Sequence, residues 1–339
     1  MLITVAMLLC SVVANAHDFE VDGIYYDVIS FTDFTVAVTY KGDSYGSFSN
    51  EYTGDVVIPS TVTYKSKTLS VTKISQYAFY DCSLKSISIP SSVIFIDNYA
   101  FKSCPIENLR IEDGTETLSL GCNYDDSNYN YGGEGLFYSS RTLETLYLGR
   151  NLSYETGFQF GYSPFFNLTK LTSVTIGNSV TSIEDYAFSS CSSLTSIVVD
   201  KGNTVYDSRN NCNAIIKTAS NTLIAGCKNT IIPSGVTSIG NLAFTYCSGL
   251  TSVTIGNSVR SIEDGAFYSC TSLKDLRIED GETTLSLGYN FYMFYDCPLE
   301  SLYLGRNLDY NTSSNCGYSP FYNKKTLKSV TIGNSVTSI

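Results

Sequence analysis

Along most of this chain the apolar residues recur in one short figure. Leu171-x-x-Val174-x-Ile176 sets two β-branched residues two positions apart. That spacing predicts a short strand with one buried face, and the Gly177-Asn178 step after it predicts a turn. Val180-x-x-Ile183 then makes a second apolar step, and Ala187-Phe188 with Cys191 a third. Nearly the same string returns at Leu250 as LTSVTIGNSVRSIEDGAFYSCTSL, and again at Leu327 as LKSVTIGNSVTSI.

Weaker copies extend the figure in both directions. Strand-like triplets fall at Val56–Ile58, Ile87–Ile89, Leu109–Ile111, Leu146–Leu148, Val174–Ile176 and Ile197–Val199, and continue at Thr230–Ile232, Val253–Ile255, Leu276–Ile278, Leu302–Leu304 and Val330–Ile332. This predicts about eleven rungs, each too small to bury its own apolar face and stable only when stacked on neighbours. A Phe corner follows most rungs, from Phe79 through Phe188 and Phe267 to Phe321. A longer period is also present, since LRIEDG at Leu109 returns at Leu276 and LYLGRNL at Leu146 returns at Leu302. The array reads as the product of multi-rung duplication.

These residues carry a resemblance. L-x-S-V-x-I-G-N-S-V-x-S-I-E-D-x-A-F-x-x-C resembles the BspA-like branch of leucine-rich repeats, and VVDKGNTVYDSRNNCNAIIKTASNTLIAGCKNTIIP resembles its hairpin insertion. The resemblance implies an α/β leucine-rich-repeat solenoid, mostly strand and loop. It would be a curved right-handed array with a parallel sheet on its concave face. It also implies a surface protein of the kind that includes adhesins for host extracellular proteins.

The ends do not repeat. Residues 1–16, MLITVAMLLCSVVANA, read as a signal peptide with an Ala14-Asn15-Ala16 cleavage site. Residues 17–53 alternate as two paired strands and predict a β-hairpin cap on the array of 54–339. Ile339 stops partway through a rung, as a fragment of a longer protein would. No later stretch approaches the ~18 apolar residues of a membrane span. The expected location is therefore secreted or cell-surface.

Composition narrows the function. A net charge of −11 lacks the basic footprint that nucleic acid requires. One histidine, His17, leaves no Ser-His-Asp or Cys-His arrangement. The acidic pairs Glu112-Asp113, Glu184-Asp185, Glu263-Asp264 and Glu279-Asp280 keep a glycosidase route formally open, but each sits at a repeated turn. The reading is not an enzyme, with no cofactor and no metal site. Six cysteines that follow the Phe corners read as buried small hydrophobes. Cys212 and Cys227 differ, because they flank a hairpin turning around Ala219-Ser220 and face each other in that register. The expectation there is a disulfide.

What remains is surface. The residue between the two apolar strand positions points outward, and most of that stripe is small and neutral. Arg110 beside Tyr147, and Arg277 beside Tyr303, break it, with Arg150 and Arg306 just past those strands in the two LGRN turns. Arg and Tyr are frequent interface anchors, although copying of two structural rungs would leave the same residues. Tyr-rich loops at 121–140, 153–164 and 309–320 lie next to these rungs. Two readings result. One is an adhesion or ligand-binding module for an extracellular protein; the other is a glycan-capturing or glycan-active surface protein.

Overall fold

A computed structural model describes residues 17–338 apart from 124–133, 138, 139, 155–162, 185, 289–292 and 311–318. The proposed signal peptide lies outside the described residues. The chain forms a β-solenoid whose rungs pair in parallel, residue for residue: Val174 lies beside Leu146 on one side and Ile197 on the other. Six strands make the first ladder: Thr53–Val57, Ser83–Ile89, Ile106–Ile111, Thr145–Leu148, Ser173–Ile176 and Ser196–Val199. A second ladder holds Ser252–Ile255, Asp275–Ile278, Ser301–Leu304 and Ser329–Ile332. Burial alternates as the period of two requires. Leu146 and Leu148 are buried while Tyr147 between them is half-buried. A slip of one residue would put a guanidinium into the core, so the register is held strongly.

Among the predicted triplets only Thr230–Ile232 is not a strand. Its backbone is already taken: Thr230 N donates to Cys227 O and Ile231 N to Cys212 O, both at 3.1 Å. Pro233 then removes the next ladder donor. Among the described residues neither ladder enters this gap, while a sheet behind it runs on from Thr222–Gly226 to Ser238–Ile239 in parallel, and the buried residues fall into two clusters that divide within the hairpin before it.

The Phe corners form two ring stacks. Phe79, Phe101, Phe137, Phe165 and Phe188 follow one another at centroid separations of 5.1, 5.3, 5.7 and 6.1 Å. Phe244, Phe267, Phe294 and Phe321 repeat this at 5.0, 5.4 and 5.6 Å. Each spacing is close to the ~4.8 Å rung pitch. The corner cysteines use the same geometry. Cys191 Sγ donates to Phe165 O at 3.2 Å, while Cys270 and Cys297 each reach the preceding Phe carbonyl at 3.1 Å. A small buried side chain with one weak donor suits that place.

The helical share implied by an α/β class is not present. The single helical piece among the described residues is a 3-10 turn at Arg209–Asn211. The corners exclude helix because positive φ interrupts them, at two residues in several, as Tyr77 and Asp81, Tyr99 and Ser103, or Leu242 and Tyr246 show.

The N-terminal segment is antiparallel. Phe19–Val21 pairs with Ile24–Ser30, which pairs with Thr35–Thr39. Thr35–Thr39 then runs parallel to Lys67–Ile74 and joins a sheet on the far side of the solenoid.

Candidate functional site: the outward face of the ladder

The register sets Ser88, Arg110, Tyr147, Thr175 and Val198 side by side. It does the same for Thr254, Arg277, Tyr303 and Thr331. The guanidinium carbon of Arg110 lies 3.8 Å from the Tyr147 ring centroid, and that of Arg277 lies 3.8 Å from the Tyr303 centroid. Both arginines are exposed, and among the described residues neither has an ion-pair partner. A planar guanidinium stacked on a ring keeps its N–H edge free for a ligand.

Each tyrosine is pinned from behind. Tyr147 Oη donates to Asp113 Oδ2 at 2.5 Å and lies 3.1 Å from Asp200 Oδ2. Asp113 Oδ1 also accepts from Asn178 N at 3.0 Å. Tyr303 Oη donates to Asp280 Oδ2 at 2.6 Å. Burial and then the Asp113 bond push the Tyr147 phenol well above its ordinary pKa, so the ring stays neutral. Gly177 is needed here, since a Cβ would stand 2.8 Å from Tyr147 Oη and 2.5 Å from Asp113 Oδ1. Gly333 meets the same obstruction at Tyr303 and Asp280.

Three of the four acidic pairs thus join rungs together. Glu112 accepts from Ser88 Oγ at 3.2 Å, Glu263 from Ser238 Oγ at 3.1 Å and Glu279 from Asn257 N at 3.3 Å.

Arg150 and Arg306 require a correction. Both are fully buried, so they do not belong with the exposed anchors. Arg150 donates through Nη1 to Ser91 O at 2.8 Å and through Nη2 to Pro90 O at 2.9 Å. Arg306 does the same toward Asn257 O and Gly256 O at 3.2 and 2.9 Å. Burial lowers the pKa of both guanidiniums. The next residue completes the motif: Asn151 Oδ1 accepts from Thr181 N and Ser182 N, and Asn307 Oδ1 from Thr337 N and Ser338 N. LGRN is an inter-rung staple.

The family model described as "BspA type Leucine rich repeat region (6 copies)" matches residues 44–154, 126–222 and 224–339. The chain belongs to the BspA-type leucine-rich-repeat family. No curated protein matches it. Solved structures similar to this BspA-type chain include a leucine rich cell surface protein from Faecalibacterium prausnitzii. That pair shares 20% identity, with 94% of this chain and 95% of the other covered and a TM-score of 0.41. The Pneumococcal vaccine antigen PcpA gives 16% identity, 94% and 97% coverage and a TM-score of 0.48. A leucine-rich repeat protein from Eubacterium ventriosum gives 17% identity, 93% and 84% coverage and a TM-score of 0.47. No helix among the described residues is long and apolar enough to cross a membrane.

In this BspA-type array the expected Cys212–Cys227 disulfide is absent, and both thiols are free and buried. The hairpin keeps the predicted register only near its turn, where Lys217 faces Thr222 and Ile216 faces Leu223. Ile215 then faces Ala225 and Ala214 faces Gly226, so Ile224 is an extra residue in its strand. That bulge carries Cys227 opposite Asn213, whose carbonyl its Sγ meets at 3.4 Å. Cys227 packs in the first core and Cys212 in the second. Non-reducing peptide mapping after denaturation in alkylating agent should therefore recover both cysteines alkylated. A linked peptide pair would show that the hairpin forms without the bulge.

One feature of the face was not anticipated. The carboxylates behind the tyrosines were legible only as a duplicated Glu-Asp step. Val198 and Ile231, between the two Arg–Tyr pairs, are 45% and 75% exposed. Tyr124, Tyr129 and Tyr131 of the Tyr-rich loops lie outside the described residues.

Proposed function

We propose that the protein is a secreted or cell-surface module that binds an extracellular or host protein without chemically altering it. Its contact face would be the ladder, concave in arrays of the kind it resembles, together with the loops beside it. Repeat solenoids in general offer such extended faces to macromolecular partners. The observation that carries this reading is the pair of exposed guanidiniums, each stacked on a pinned tyrosine and each without an ion-pair partner. Val198 and Ile231 supply apolar contact area between them. Glu112, Asp113, Glu263, Glu279 and Asp280 face inter-rung donors, which supports a structural use for those acidic pairs.

Screening the protein on arrays of extracellular proteins and of glycans should return a protein partner. Alanine at Arg110, Tyr147, Arg277 or Tyr303 should then weaken binding about tenfold or more, or ~1–2 kcal/mol each. Ser88→Ala and Thr254→Ala should leave affinity nearly unchanged. Equal affinity across the Arg and Tyr variants would move the site off this face. Glycan turnover abolished by one acidic substitution would refute binding without chemistry.

A further inference from the structure

We propose that the N-terminal end of the array carries a second interaction surface, one that seats on anionic lipid. Ile29, Phe31 and Phe34 are 51%, 47% and 43% exposed. All three lie at one end of the hairpin formed by Ile24–Ser30 and Thr35–Thr39. Turn positions favour small polar residues, and two phenylalanines there reduce solubility unless something covers them. Repeat stacking gives no reason for them, because they precede residue 44, where the family match begins.

A neighbouring hairpin supplies the charge. Thr61–Tyr64 turns tightly into Lys67–Ile74 through Lys65 and Ser66, which hold φ of +48° and +60°. Lys65 Nζ stands 4.7 Å from the Tyr64 centroid and 6.0 Å from that of Phe31. Lys67 Nζ stands 5.1 Å from the Phe34 centroid. Neither lysine has an ion-pair partner among the described residues. Asp33, the acid inside the aromatic turn, accepts from Ser30 Oγ at 2.9 Å.

The shape and charge favour a lipid surface over a peptide. Two adjoining hairpin ends make a projection, which suits a soft plane and offers no groove. An ammonium held over a ring lets the aromatic enter the acyl boundary while the charge stays with the headgroup phosphates. The whole chain carries −11, so general electrostatic attraction to anionic lipid is lacking. Attraction must come from this local pairing of lysines with rings.

The test uses the whole chain with vesicles of phosphatidylcholine, alone or mixed with phosphatidylserine. The protein should co-sediment with the mixed vesicles and release at high salt. Phe31→Ala with Phe34→Ala should lower partitioning about tenfold or more, and Lys65→Ala with Lys67→Ala about tenfold. Arg110→Ala with Tyr147→Ala should leave it unchanged, which separates this surface from the ladder face. The chain has no tryptophan, so Phe31→Trp gives an isolated signal that should shift blue and be quenched by brominated lipid. Failure to bind mixed vesicles, undiminished binding in both double variants, or an unshifted spectrum on binding would each overturn the proposal. Self-association abolished by the same variants without vesicle binding would assign the surface to a second copy instead, and would overturn it too.

Discussion

Phe101→Ala should lower the unfolding free energy by about 3–5 kcal/mol, the range for a phenylalanine removed from a rigid core. Phe101 is fully buried, with Phe79 stacked on it at 5.1 Å, nearly parallel, and Phe137 on the other side at 5.3 Å. Its loss leaves a void lined by two rungs that cannot both close in, because each is held in register by its own ladder strand. Chemical denaturation followed by far-ultraviolet circular dichroism measures the effect. A midpoint that hardly moves would show that the corner relaxes independently of the rungs.

Arg150→Ala should cost about 3 kcal/mol or more, from a buried cavity and from two carbonyls losing a charged donor. The donor side chain sits 59 residues along the chain from Ser91, so the bond ties distant rungs directly. Arg150→Lys should recover little of the loss, since one ammonium cannot reproduce the planar fork that reaches Ser91 O and Pro90 O together. Arg110→Ala provides the contrast. Its side chain is exposed, and its removal should change stability by about 0.5 kcal/mol or less. Similar losses for Arg110 and Arg150 would mean that the stacked arginine is structural, which would weaken the binding proposal.

The rungs were legible in the sequence because β-branched residues two apart can bury only one face, and that pattern recurs. The outward Arg–Tyr pairs were legible for the same reason, as alternation fixes which side each residue takes. Arg150 was not. Charge after a Gly in a turn ordinarily goes to solvent, and the acceptors that reverse this lie two strands back in the first ladder. Nor was the fate of Cys212 and Cys227, because one extra residue at Ile224 moves the pairing by one place. Strand propensity does not reveal a bulge. The gap at Thr230–Ile232 was similarly hidden, since its apolar pattern is preserved while its backbone bonds go to Cys227 and Cys212 of the hairpin.

That gap has a mechanical meaning. No ladder strand among the described residues fills it; the halves meet where Thr222–Gly226 pairs with Ser238–Ile239, where Gly226 N donates to Ala243 O at 2.9 Å and where Ser189 Oγ donates to Thr245 O at 3.3 Å. Among the described residues only the sheet behind the ladders is continuous there. Tension along the array therefore meets two stiff springs joined by a softer link. The link yields first, and each spring keeps one arginine–tyrosine pair intact when it does.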